Sequence, residues 1–106
     1  MGAQKTWTAA LSKLIATAVG DSVVVIVRPG CPHCAACTDA LQAAAVPHTL
    51  VPVAAVRGGD ATMTAMSAAL GGYSTYPRVF VFGQFCGGND AVAGAIAAFK
   101  RARSAA

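Results

Sequence analysis

Glutamate is absent from the chain: its acidic residues are four aspartates, set against three lysines and five arginines for a net charge of +4. That balance gives anionic small ligands a mild advantage and no more. The basic residues are scattered apart from Lys100, Arg101 and Arg103, which suit the last turn of a helix. With no basic stripe interleaved with aromatics, nucleic acid is excluded as a partner. Long apolar runs are missing too. The longest, Val23 to Val27, falls far short of a membrane span, which predicts a soluble chain with no membrane partner. No secretory signal is visible, and three of the four cysteines fall within seven residues. A secreted disulfide framework is therefore set aside in favour of functional thiols in a reducing, cytoplasmic compartment. Repeats, linkers and low-complexity blocks are also lacking. At 106 residues, 56% hydrophobic and 11% charged, residues 1–106 read as one compact domain.

What is present follows an α/β order. Thr6 to Val19 is predicted as an amphipathic helix, with Trp7, Leu11, Leu14, Ile15 and Ala18 at helical spacing and Gly20 as its stop. Ser22 to Val27 is a β-branched run that reads as a central strand buried on both faces. A helix should begin at Cys31 or Pro32 and end near Ala45, placing Cys34, Cys37 and Leu41 on one face. His48 to Val53, interrupted by Pro52, reads as an edge strand. Gly58-Gly59-Asp60 suggests a loop ending in an N-cap, before a helix with the stripe Met63, Met66, Leu70 that stops at Gly71-Gly72. An alternating strand, Arg78 to Phe82, should turn through Gly83-Gln84 into Phe85-Cys86. Gly87 to Asp90 then leads into a last helix with the stripe Val92, Ala95, Ile96, Phe99.

The chemistry gathers in Arg28-Pro29-Gly30-Cys31-Pro32-His33-Cys34. Thiol–disulfide exchange needs a thiolate, and a free cysteine with a pKa near ~8.5 is mostly protonated at neutral pH. A sulfur at a helix N-terminus meets unpaired amides and the positive end of the helix dipole, so Cys31 is predicted to have a depressed pKa, helped by Arg28 and His33. Cys34, nearer the core, is its resolving partner. Cys37, on the apolar stripe, reads as a small buried hydrophobe. Cys31, His33, Cys34 and Cys37 crowd too tightly on one turn to converge on a tetrahedral zinc, and no second C-x-x-C exists, so no metal is expected.

Arg28 to Cys34, Thr75-Tyr76-Pro77 and Phe85-Cys86-Gly87-Gly88-Asn89-Asp90, in that order, resemble the dithiol glutaredoxins, and the likeness runs from Ala9 to Phe99. It implies a thioredoxin-like α/β fold, a central four-stranded mixed sheet flanked by about four helices. It also implies an enzyme that reduces glutathionylated proteins and small or protein disulfides, with glutathione as co-substrate and no tightly bound cofactor. Carried over by position, Cys31 is the nucleophile and Cys34 the resolving thiol. Arg28 would pair with a glutathione carboxylate, Tyr76 would offer backbone hydrogen bonds before a cis-Pro77, and Gly88, Asn89 and Asp90 would receive the γ-glutamyl carboxylate. Thr75 and His33 complete the expected glutathione-binding set, and the protein is expected to act as a monomer.

This chain departs from the family pattern in several places. Pro32-His33 replaces the usual Pro-Tyr, a pairing shared with strongly oxidising oxidases. Ser74 stands where Arg or Gln is frequent, Tyr76 replaces a valine, and Ala91 replaces an aspartate. These changes imply either a looser hold on glutathione or a bulkier, glutathione-related low-molecular-weight thiol as reductant. Two alternatives stand beside the leading reading. One is a dimer sharing a [2Fe–2S] cluster through Cys31, against which Pro32 argues. The other is a glutathione-independent disulfide reductase or oxidase of thioredoxin type.

Overall fold

A computed structural model describes residues 23–105. The helix expected over Thr6 to Val19 lies outside the described residues. Strand β1 (Val23–Val27) leads into helix α1 (Pro32–Ala43), followed by β2 (Thr49–Pro52), α2 (Gly59–Ala69), β3 (Arg78–Val81), β4 (Gln84–Gly87) and α3 (Val92–Ala105). The strands form one sheet in the order β2-β1-β3-β4, with β1 parallel to β2 and the other two pairings antiparallel. This is the mixed four-stranded sheet of the thioredoxin-like fold, with three helices among the described residues.

The β-branched run Val23–Val27 sits at the middle of the sheet because both of its faces are apolar. Its alternate residues feed two cores. Val24 and Ile26 join Val51, Phe80, Met63 and Met66 on the α2 side, while Val23 and Val25 join Cys37, Leu41, Val79, Val81 and Phe99 on the side of α1 and α3. Fully buried side chains of this kind each stabilise by about 1.5–3 kcal/mol relative to exposure. Pro52, which cannot donate to a ladder, lies on the edge strand as expected. No helix among the described residues is long and apolar enough to cross a membrane.

Four local expectations are corrected. Helix α1 ends at Ala43, two residues early, because Ala45 takes φ +57° and turns the chain toward Val46. Helix α2 begins at Gly59 with Gly58 in the left-handed region as its cap, so Asp60 lies in the first turn and is not the cap. A Cβ on Gly58 would also meet Thr62 Oγ1 at 2.3 Å. The hairpin turns through Phe82-Gly83, since Val81 pairs with Gln84 and both turn residues have positive φ (51° and 77°), the type I′ geometry that matches strand twist. Finally, β3 does not alternate between buried and exposed residues. All four of its residues are buried, because helices cover both faces of the sheet there.

Candidate active site

Strand β1 releases the chain at Arg28, and Gly30, at φ +66°, bends it back so that α1 starts at once. Cys31 is the N-cap of α1 with extended backbone, and Pro32 occupies the first turn, where its missing N–H costs nothing. The Cys34 N–H donates to Cys31 Sγ at 3.1 Å and also to the Cys31 carbonyl at 3.1 Å. The cysteine therefore caps the helix as serine or aspartate usually does, with sulfur in place of oxygen. Cys31 and Cys34 are joined as a disulfide, their Cα atoms 5.2 Å apart. Cys31 is partly exposed, whereas Cys34 is only 5% exposed.

The Tyr76–Pro77 peptide is cis, and the Tyr76 carbonyl oxygen lies 3.8 Å from Cys31 Sγ. The residues expected around a thiol ligand divide between two cavities that share Tyr76. His33, Thr75, Tyr76, Asn89 and Asp90 line one of about 330 Å³, together with Tyr73. Arg28 instead lines a cavity of about 500 Å³ with Asp60, Thr64, Ser67, Tyr76 and Arg78. Pro77 is buried beneath them. Gly88 is required by a close approach: a Cβ there would lie 2.2 Å from the Tyr73 hydroxyl and 3.4 Å from the Pro77 carbonyl oxygen. Its φ of −101° is open to any residue, so the demand at Gly88 is for space.

Arg28 carries the expected charge, and its guanidinium is paired with the Asp60 carboxylate of α2. It also lies over the Tyr76 ring, 4.9 Å from the centroid. The hydrogen bond to Tyr76 and, after it, the charge of Asp60 raise its pKa from the ordinary value. Arg78, which sequence reasoning treated as an ordinary strand residue, is 2% exposed. It donates from Nε to Thr75 O (3.3 Å), from Nη1 to Met63 O (3.3 Å) and from Nη2 to Ser67 Oγ (2.9 Å), and it lies 4.6 Å from the centroid of Tyr76. Desolvation is the main cause of its lowered pKa, and the neighbouring Arg28 charge adds to it. Arg78 thus ties α2 to the segment that faces the cysteine pair. The signal was its two-residue spacing from Phe80, which puts both on the α2 face of β3. Tyr73 was also missed; its hydroxyl reaches Pro77 O at 3.4 Å and its ring packs edge-on against Phe85 at 4.9 Å, long-range contacts with no local signature.

The two remaining cysteines are free. Cys37 is wholly buried, as expected, and burial pushes its thiol up from the ordinary value. Cys86 is the extra residue where the β3–β4 register shifts. It is half-buried against the α1/α3 core, and burial raises its thiol pKa too, partly offset by a backbone hydrogen bond at Val81. Among the described residues no three His, Cys, Asp or Glu side chains gather into a metal-binding group.

Comparison with known proteins agrees with this geometry. The glutaredoxin family profile matches residues 23–86. Among solved structures, the chain is similar to the holo form of glutaredoxin C1 from Populus tremula x tremuloides, with a TM-score of 0.66 and 28% identity over 81% of this chain and 84% of that one. It is also similar to oxidised glutaredoxin 2 from Chlamydomonas reinhardtii, with a TM-score of 0.57 and 34% identity over 74% and 73% of the two chains. A curated relative, the hybrid peroxiredoxin hyPrx5 of Haemophilus influenzae, is 32% identical over 72 residues, which is 68% of this chain and 28% of that protein's length. This chain therefore corresponds in size to a fraction of that relative. The profile match runs from the first residue of β1 into β4, enclosing both the cysteine pair and the cis-proline, and on that ground the chain belongs to the glutaredoxin family of thiol–disulfide oxidoreductases.

Proposed function

We propose that this chain reduces mixed disulfides of glutathione, or of a related low-molecular-weight thiol, with proteins and small molecules. The observation that carries the reading is the position of Cys31: a partly exposed sulfur at the N-cap of a 12-residue helix, bonded to a helical amide, with the cavity-lining Tyr76 alongside. In the reduced protein, the amide and the helix dipole favour the Cys31 thiolate. That thiolate attacks the glutathione sulfur of the mixed disulfide. One S–S bond breaks, a Cys31–glutathione bond forms, and the substrate leaves as its thiolate, which takes up a proton. A second glutathione thiolate then attacks the adduct, releasing glutathione disulfide and restoring Cys31. With a disulfide-containing protein as substrate, Cys34 attacks Cys31 of the adduct instead, releasing the reduced substrate and leaving the Cys31–Cys34 disulfide for two glutathiones to reduce.

The smaller cavity supplies chemistry suited to the glutathione backbone and its γ-glutamyl end. Thr75 and Tyr76 offer backbone groups beside the sulfur, while Asn89, Asp90 and His33 offer polar side chains near the start of α3. The protein is proposed to act as a monomer in a reducing cytoplasm, with glutathione consumed as co-substrate and no cofactor tightly held. The test is turnover of a glutathionylated peptide coupled to glutathione reductase. Cys31→Ser should lose activity by a factor on the order of a thousand, because an alcohol is not ionised at neutral pH. Retention of full activity by that variant would overturn the assignment. Gly88→Ala, which drives a methyl against Tyr73, should raise KM for the glutathionylated peptide several-fold while leaving the fold intact.

A further inference from the structure

The larger cavity beside Tyr76 contains three charged side chains in unequal circumstances. Arg78 is buried, and the three hydrogen bonds it makes go to neutral acceptors, two carbonyls and a hydroxyl. Arg28 and Asp60 stand at the open side, their side chains 45% and 75% exposed, and they are paired with each other. The pair joins residues 32 positions apart, the end of β1 and the first turn of α2, so it depends on tertiary placement. Arg28 is the exposed guanidinium of the cavity, and an internal carboxylate already occupies it. An incoming anion must share Arg28 with the Asp60 carboxylate or displace it; a neutral or cationic group need not.

We infer that Asp60 is a specificity-determining residue that acts through Arg28, setting the charge of the disulfides that reach Cys31. The inference rests on Cys31 as the attacking thiol and is independent of whether glutathione is the physiological reductant. Charge near a partly enclosed cleft acts on encounter and on the bound pair alike, and both effects weaken as salt screens them. The step it modulates is attack of the Cys31 thiolate on a substrate disulfide, in which the S–S bond breaks, a new Cys31–S bond forms and the departing sulfur carries away the electron pair as thiolate. Cys34 then displaces the second half in the same way, so the protein dithiol supplies both electrons.

The test uses the reduced full chain and three small disulfides of similar length: dithiodipropionate as dianion, hydroxyethyl disulfide as neutral and cystamine as dication. Second-order oxidation rates are read by acid quench and mass spectrometry. In Asp60→Asn, the rate with dithiodipropionate should rise about three- to tenfold relative to hydroxyethyl disulfide, and the rate with cystamine should fall. Both changes should shrink in high salt. Asp60 is exposed, and the circular dichroism of each variant is matched to that of the wild type before rates are compared, because thiols of an unfolded fraction would react as well. Asp60→Glu, which keeps the charge, should keep the wild-type ratios, and the gain for dithiodipropionate should be much smaller when Asp60→Asn is made on Arg28→Gln. Ratios unchanged in Asp60→Asn, or all three rates moved by one common factor, would overturn the inference. Either result alongside normal turnover of the glutathionylated peptide removes the role of Asp60 alone. Conversely, failure of that turnover with the ratios shifted as expected removes glutathione alone.

Discussion

Nearly two turns of α1 separate two kinds of cysteine. At its start, Cys31 stands partly exposed against the Cys34 amide; six residues further on, Cys37 is wholly buried in the core with Leu41. Both are cysteines, and once the Cys31–Cys34 disulfide is reduced the difference lies in what their sulfurs meet. A sulfur at a helix N-terminus meets N–H groups that the helix cannot satisfy internally, whereas one on the buried stripe meets hydrocarbon, which penalises charge. Cys86 belongs with the second kind, half-buried where the β3–β4 pairing shifts register. What surrounds each sulfur thus divides the cysteines into an exchangeable pair at a helix start and two that serve packing, one on α1 and one on β4.

The contrast is most readily broken by alkylation. In the reduced protein at neutral pH, a brief pulse of iodoacetamide should modify Cys31 about 10–100 times faster than Cys37 or Cys86, read by peptide mass spectrometry. Equal labelling of Cys31 and Cys37 would mean that the helix start confers nothing. A smaller effect is expected from Cys37→Ser, which buries a hydroxyl among Val25, Leu41 and Val79. Urea denaturation should show a loss of about 1–3 kcal/mol, with turnover per folded molecule unchanged. A drop in turnover of the folded fraction would place Cys37 in the chemistry after all.

The smallest effect is on pH dependence. Burial raises the folded-state pKa of both Cys37 and Cys86, so folding favours their neutral thiols. That contribution is fully present below the unfolded thiol value of about 8.5 and is lost as pH rises from there through the folded values, because only the unfolded chain releases the protons in that window. In the oxidised protein, the decline in stability above about pH 8.5 should therefore be shallower in a Cys37→Ala, Cys86→Ala variant than in the wild type. Parallel curves would show that the buried thiols carry no such linkage.

Much of this was readable along the chain. The β-branched run marked the central strand, Pro52 marked the edge, and proline next to Cys31 marked where α1 begins, because each rests on local sterics and on apolar periodicity. The dithiol and its family resemblance followed from residues 28–34, 75–77 and 85–90. The misses share a different cause. Asp60 suits a cap by residue type, yet Gly58 reaches the left-handed region more cheaply and leaves the carboxylate free for Arg28. Arg78 reads in the sequence only as the first residue of an alternating strand, and the helix above it supplies two of the acceptors that allow its burial.

The order of elements, the strand that lies at the centre and the cysteine that caps a helix were thus determined by the sequence itself, since they depend on neighbours within a few residues. Tertiary structure decided the rest. It brought Tyr76 between Arg28 and Arg78, set Tyr73 against Gly88 and joined Asp60 of α2 to the end of β1. Those contacts link residues distant in the chain, and nothing in local propensity specifies them. They arise where α2 and the 73–77 segment pack beside the end of β1, with α2 and the sheet burying a common core.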